Sequence, residues 1–189
     1  DANLTPKDVD AYVMGNMPVF EAIHHPEMQV LDYVGATMKP VFHLQTAGTT
    51  GGTVVVACCE LVASGVYDVA VVLGWQKHSE SDPSATMRMN DDQMYTQIGT
   101  SGGGALTEWQ KLAKAYMLKY PYCTDKHAAM VRLRADKNAC KNPKAHLQLN
   151  LQTVEDVMKS PMLQPPVRLL DSCPASDGAV ALIIACEEK

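Results

Sequence analysis

No CxxC pair occurs among the six cysteines of the 189-residue chain, which removes the common zinc-ribbon and dithiol redox arrangements. No run of 18 apolar residues is present, so no segment reads as a membrane-spanning helix. The opening, "DANLTPKDVD", has neither the basic region nor the apolar stretch of a signal peptide. Positive charge is in deficit: 16 Lys and Arg face 21 Asp and Glu, for a net charge of −5. That balance offers nothing to a nucleic-acid backbone. The chain's glycine-rich turn is not followed by Gly-Lys-Ser/Thr and is not a GxGxxG, so neither a P-loop nor a dinucleotide-binding fingerprint is present.

What is present is apolar. Hydrophobic residues make up 47% of the chain, enough for a globular domain with a real core. Cys58 and Cys59 fall in an apolar stretch, where a free thiol behaves as a small hydrophobe. The cysteine usage as a whole predicts a reduced, cytoplasmic chain.

The order of elements predicts an α/β fold. Thr5, Pro6 and Asp8 have the N-cap, N1 and N3 chemistry of a helix start. "AYVMGNM" follows as a short strand ending at Gly15, so the chain opens as if cut from something longer. Residues 16–39 form an irregular or helical link, rich in His and Met. Residues 40–46, "PVFHLQT", read as a strand, residues 53–64 as a helix with Gly65 as its C′ glycine, and residues 67–75, "YDVAVVLGW", as a strand covered on both faces. Strand, helix and strand with a short return make a right-handed βαβ unit in a mostly parallel sheet flanked by helices.

Residues 79–104 then become polar and glycine-rich, a long functional or mobile loop. Amphipathic helices are expected over 109–119 and 125–137, the second capped by Thr124, and a short helix over 153–160 with Thr153 as cap and Asp156 at N3. The last stretch, "VRLLDSCPASDGAVALIIA", reads as a strand pair around a turn at Ser176, Asp177 and Gly178. Residues 79–163 are expected as an inserted helical loop subdomain within one domain spanning 1–189.

The turn itself, "QTAGTTGG", ends a strand and opens a helix. Amides and the positive end of a helix dipole there favour an anion or a developing oxyanion. Gly48-x-x-Gly51, the helix ending in "VASG", the strand "DVAVVLGWQKHS" and the distal "NPKAHLQLNLQTVEDVMKS…RLLDSCPASDGAVALII" together resemble the thiolase superfamily. The branch they resemble is that of the sterol-carrier-protein-type thiolases and the steroid side-chain aldolases. The resemblance covers all of this chain but only the N-terminal half of a family member.

It implies a thiolase-like fold, coenzyme A thioesters as substrates with no covalently bound cofactor and no metal, and carbon–carbon bond cleavage or formation. It also implies a homodimer or higher oligomer, with a zinc-ribbon/OB-fold subunit as a further partner. In the family's thiolases a cysteine opens this helix and is acylated. Aligning on the helix's terminal "SG" puts Gly48 there. Cys58 and Cys59 lie about 15 Å further along at 1.5 Å per residue. The expectation is therefore aldolase-like chemistry, which needs no acyl-enzyme. The alternatives are a Claisen-type acetyl-CoA C-acyltransferase of lipid metabolism, which "GWQKHSESD" resembles more, and a non-catalytic acyl-CoA-binding subunit.

Thr49 and Thr50 flank the vacated position, as substrate contacts or as plain helix caps. His78 follows a strand end, where open α/β sheets bind ligands. Met94, with Met87 and Met89, falls in the long loop and suits a flexible acyl chain. His78 and Met94 are thus the candidates for the acyl-CoA pocket. His24 and His25 read as exposed, and His43 as a satisfied core or interface histidine. Lys111, Lys114, Lys119, Lys126, Arg132, Arg134 and Lys137 make two helices basic, which suits the phosphates of coenzyme A.

Overall fold

The computed structural model describes residues 2–82 and 105–188. Met87, Met89 and Met94 lie outside the described residues. The chain divides into two compact units, Asp1–Asp82 with Ser176–Lys189, and Pro83–Ala175. The inserted unit therefore extends further along the chain than the expected 79–163.

In chain order the elements are β1 (Ala11–Gly15), α1 (Glu27–Val34), β2 (Val41–Leu44), α2 (Thr50–Ala63), β3 (Val69–Lys77), α3 (Ala105–Lys119), α4 (Asp125–Ala139), α5 (Val154–Met158), β4 (Met162–Gln164), β5 (Val167–Arg168) and β6 (Asp177–Ala185). The first unit is a four-stranded sheet of order β2-β1-β3-β6. β1 runs parallel to β2 and β3, with Gly15 opposite both Leu44 and Gly74. β6 runs antiparallel to β3, from Val69 opposite Ala185 to Lys77 opposite Asp177. The βαβ unit expected from the apolar runs is thus present.

Alternation along β1 assigns the two faces. Ala11 and Val13 turn to α2, whose Val54, Cys58 and Val62 recur every four residues and pack onto them. Tyr12 and Met14 turn to the other side, against Val30, Leu31 and Val34 of α1. Each such side chain, taken fully out of water, contributes roughly 1.5–3 kcal/mol. Tyr12 also donates its hydroxyl to the Val34 carbonyl at 2.9 Å. Gly65 and Gly35 close α2 and α1 with φ of +73° and +72°, a conformation glycine adopts without strain.

Three expectations need correction. The helix after the turn begins at Thr50 rather than 53, behind a 3-10 turn over Ala47–Thr49. The distal stretch is not a strand pair in the main sheet: Val167 and Arg168 pair with β4 in a separate hairpin, and β6 joins the sheet alone. Asp177 and Gly178 are not a turn but the first residues of β6.

Asp177 acts as a clamp there. Its Oδ1 accepts from the Ser79 amide at 2.9 Å, and its Oδ2 from the Ser79 hydroxyl. The Ser79 side-chain bond holds its carboxyl below the ordinary range. Asp156 is lowered in the same way by Thr153, its amide first and its hydroxyl second, and the capping box predicted at α5 is formed. Both values lie below those of the unfolded chain, near 4. The stabilisation is therefore complete above about pH 4 and is lost as pH falls through the folded-state values. Carboxyl-carbon NMR titrations should place both residues below the ordinary aspartates, and Ser79→Ala should return Asp177 toward them. Unchanged titration in Ser79→Ala would remove the clamp as the cause.

The second unit is held by a buried carboxylate. Asp136 on α4 is 1% exposed. It accepts from the amides of Leu149 at 2.9 Å and Leu151 at 2.7 Å, so an irregular segment is fastened to the helix. Val157 of α5 and Ala129 of α4 supply the buried apolar contacts. Thr124 occupies the N-cap of α4, where its amide donates to the His127 ring at 3.0 Å and its own hydroxyl caps no amide.

Candidate functional site

β2 ends at Leu44 and α2 begins at Thr50. The link between them is closed by hydroxyls. Thr50 donates its hydroxyl to the Ala47 carbonyl at 2.7 Å and accepts from the Thr46 amide at 2.9 Å. Thr49 donates to the Thr46 carbonyl at 2.7 Å, and the Thr46 and Thr53 hydroxyls meet at 2.7 Å. Ala47 is held at φ +50°, a left-handed conformation that costs a non-glycine residue of order 1 kcal/mol. The hydroxyls that read as candidate substrate contacts are thus engaged in shaping the turn.

Space, not a side chain, is what the turn offers. A Cβ added at Gly48, Gly51 or Gly52 would meet no atom within 4 Å. Two glycines in the first turn of a helix cost about 1 kcal/mol each relative to alanine, and no neighbour among the described residues requires them. From this bare corner an open groove of about 450 Å³ runs past Thr49, Gly52 and Val56. A second, of about 300 Å³ and floored by Val13, Phe42 and Leu44, meets it at Ala57 and Glu60. α2 accordingly buries one face only: Val56 is 58% exposed. The groove is mostly apolar, interrupted by Glu60 where its two parts meet, with the positive end of a helix at its head.

No thiol reaches that head. Cys58 is fully buried ten residues on. Burial pushes its thiol upward, with neighbouring Cys59 adding to the shift, which disfavours the reactive thiolate. Each of the six cysteines is free.

The other sequence candidates fall elsewhere. His78 sits in a 3-10 turn after β3 with its ring 4.1 Å from that of Phe20, and its Nδ1 is buried without a hydrogen-bond partner. His25 is exposed and meets Glu27 at 3.1 Å. His43 is tied to Asn16 at 2.8 Å, as a satisfied histidine. Sequence reading missed Asn16, which holds His43, and Glu21, which holds Asn16; no local pattern marks them, because His43 lies on a different strand, 27 residues from Asn16.

Charge separates between the units. Pro83–Ala175 holds 12 of the 16 Lys and Arg and 8 of the 21 Asp and Glu, so it is net positive while the sheet unit is strongly acidic. Among the described residues no helix is long and apolar enough to cross a membrane.

No family model matches the chain. Individual proteins do. An acetyl-CoA acetyltransferase of Methanothermobacter thermautotrophicus is 32% identical over 187 residues, covering 97% of this chain and 48% of the relative. A steroid side-chain-cleaving aldolase of Thermomonospora curvata is 29% identical over 202 residues, covering 100% of this chain and 49% of the relative. Among solved structures, the Ltp2-ChsH2(DUF35) aldolase superposes with a TM-score of 0.78 at 26% identity, over 99% of this chain and 47% of that one. The chain spans about half the length of the curated relatives it matches. A strand–turn–helix corner on a mixed sheet, an inserted helical unit and these relatives converge: the chain belongs to the thiolase superfamily, in the branch of the sterol-carrier-protein-type thiolases and steroid side-chain aldolases.

Proposed function

We propose that this chain forms the acyl-CoA half-site of a thiolase-fold aldolase, which breaks or forms a carbon–carbon bond without an acyl-enzyme. The observation that carries this is the bare corner at Gly48. A thiolase route needs a nucleophile at the head of α2, and the space there is open with no thiol beside it. A retro-aldol route needs none. A base takes the hydroxyl proton of a 3-hydroxyacyl-CoA, and the bond between the α and β carbons breaks. The aldehyde or ketone then leaves, and the thioester enolate is protonated at the α carbon. The enolate oxygen is the charge that the positive end of α2 would stabilise. The threonine hydroxyls are bound within the turn, so this reading gives them no acid or base role.

The largely apolar groove along α2 favours an aliphatic or polycyclic acyl group. Met94 and His78 remain our candidates for contacts to the acyl-CoA. The exposed apolar side chains of β6, Val180 at 65% among them, favour a homodimer or larger assembly. The aldolase neighbour's name pairs two components, and a zinc-ribbon/OB-fold subunit is the partner we expect here. Six free cysteines fit a cytoplasmic setting.

A second reading has a specific observation behind it: the acetyl-CoA acetyltransferase relative favours Claisen-type acyl transfer. Intact-mass spectrometry of the full-length protein with 3-oxoacyl- and 3-hydroxyacyl-CoAs separates the two. We expect no acyl adduct, and aldehyde or ketone release from a 3-hydroxyacyl-CoA. A hydroxylamine-labile adduct would establish acyl transfer instead. Binding without adduct or release, with partner chains present, would make this a non-catalytic subunit.

A further inference from the structure

On the face of the sheet opposite α2, one buried carboxylate touches the ends of two strands, β1 and β3, and reaches a third, β2, through Asn16. Asn16 follows β1 directly and is 2% exposed. Its Nδ2 donates to Glu21 Oε2 at 2.8 Å. An ionised carboxylate only accepts, so this bond fixes which way the Asn16 amide faces. Its Oδ1 is thereby turned to His43 on β2, whose Nε2, 2.8 Å away, must carry the proton. The same Glu21 oxygen lies 3.4 Å from the indole nitrogen of Trp75 on β3. The next residue, Gln76, brackets the chain beside it: it accepts from the Met17 amide at 2.9 Å and donates to the Met17 carbonyl at 3.1 Å. The far side of His43 faces Glu27, Nδ1 to Oε2, at 3.5 Å.

Glu21 is an expensive way to hold a sheet. It is 9% exposed, and its other oxygen, Oε1, is buried with no hydrogen-bond partner. A buried charged group left half-paired destabilises the fold relative to an apolar residue of similar volume. What it fixes in return is placement. Gly15, immediately before Asn16, lies directly beneath Thr50 and Val54 of α2. His43 stands four residues before Ala47 on the strand that delivers the turn. Asn16 and His43 thus cross-tie the two strand ends on which the Gly48 corner is built.

We propose that Glu21 is a positioning residue for the acyl-CoA site, acting through Asn16 and His43 on the 46–53 corner. This rests on the reading of that corner as the reactive site. The test uses the full-length protein and two readouts. In Glu21→Leu, amides 46–53 exchange with deuterium about tenfold faster while the sheet core stays protected. In the same variant kcat on the acyl-CoA falls about 10- to 100-fold with KM within about twofold of wild type, as expected for a misplaced reacting geometry. The 15N shift of His43 Nε2 loses its fixed protonated signature. Glu21→Gln keeps an oxygen for Asn16 and restores most of both.

Wild-type exchange at 46–53 in Glu21→Leu overturns the proposal. If that variant does not fold, His43→Phe decides, since it cuts the link from β2 without touching Glu21: wild-type exchange there overturns the proposal equally. A wild-type protein that turns over no acyl-CoA would defeat the functional reading alone, because the exchange and 15N readouts still judge the positioning network.

Discussion

Gly15→Ala is expected to destabilise the sheet unit by about 1–3 kcal/mol, the usual cost of forcing a methyl into a packed core. A Cβ there would stand 2.6 Å from Val54 Cγ1, 2.8 Å from Thr50 Cγ2 and 3.1 Å from the Leu44 carbonyl oxygen. None of the three yields easily. Val54 and Thr50 are β-branched and stiff at χ1, both are buried, and the third atom is backbone. Relief comes only by lifting the first turn of α2 from the sheet, which moves the Gly48 corner with it. Gly48→Ala is the control. Its methyl enters open space, so the fold should be untouched while acyl-CoA affinity drops. Denaturation midpoints and ligand titrations of the two variants should therefore diverge. Equal midpoints for Gly15→Ala and wild type would show that α2 can move away without cost.

Asp136→Ala carries the other large effect. Two amides, those of Leu149 and Leu151, lose their acceptor, and the Cys140 thiol loses its weak bond at 3.8 Å. Leaving part-buried donors unmet costs about 1–3 kcal/mol apiece, so a loss of about 3–5 kcal/mol is expected, enough to unfold the inserted unit in a marginal background. The chain offers a reporter for each unit. Of its two tryptophans, Trp75 lies in the sheet unit and Trp109 in the inserted one. In a Trp75→Phe background the Asp136→Ala transition should move to lower denaturant; in a Trp109→Phe background it should stay near wild type. Movement of both together would mean that the two units unfold as one.

The sequence made the βαβ core legible because its signals are local. Residues 69–73 form an uninterrupted apolar run, and α2 repeats its buried positions every four residues. The start of α2 was obscured by Gly51 and Gly52, whose chemistry reads as turn while their backbone is helical. Asp177 and Gly178 misled in the same sense: Ser-Asp-Gly has turn composition, but pairing with β3 overrides it, and the Ser79 partner that fixes Asp177 is 98 residues away. The vacancy at Gly48 was legible from its place in the resemblance. The network behind it was not, since Asn16, Glu21, His43 and Trp75 meet only once three strands are assembled.

The register of β3 and β6 has a consequence for how this architecture can vary. Lys77 and Asp177 are paired neighbours, so the chain leaves the sheet and re-enters it within about 5 Å, one strand spacing. Topologically, everything from Pro83 to Ala175 is the loop of a single hairpin. Each doubling of such a loop costs only about 0.6 kcal/mol in closure entropy. The cassette can therefore be lengthened, trimmed or exchanged with little penalty to the sheet that carries the corner.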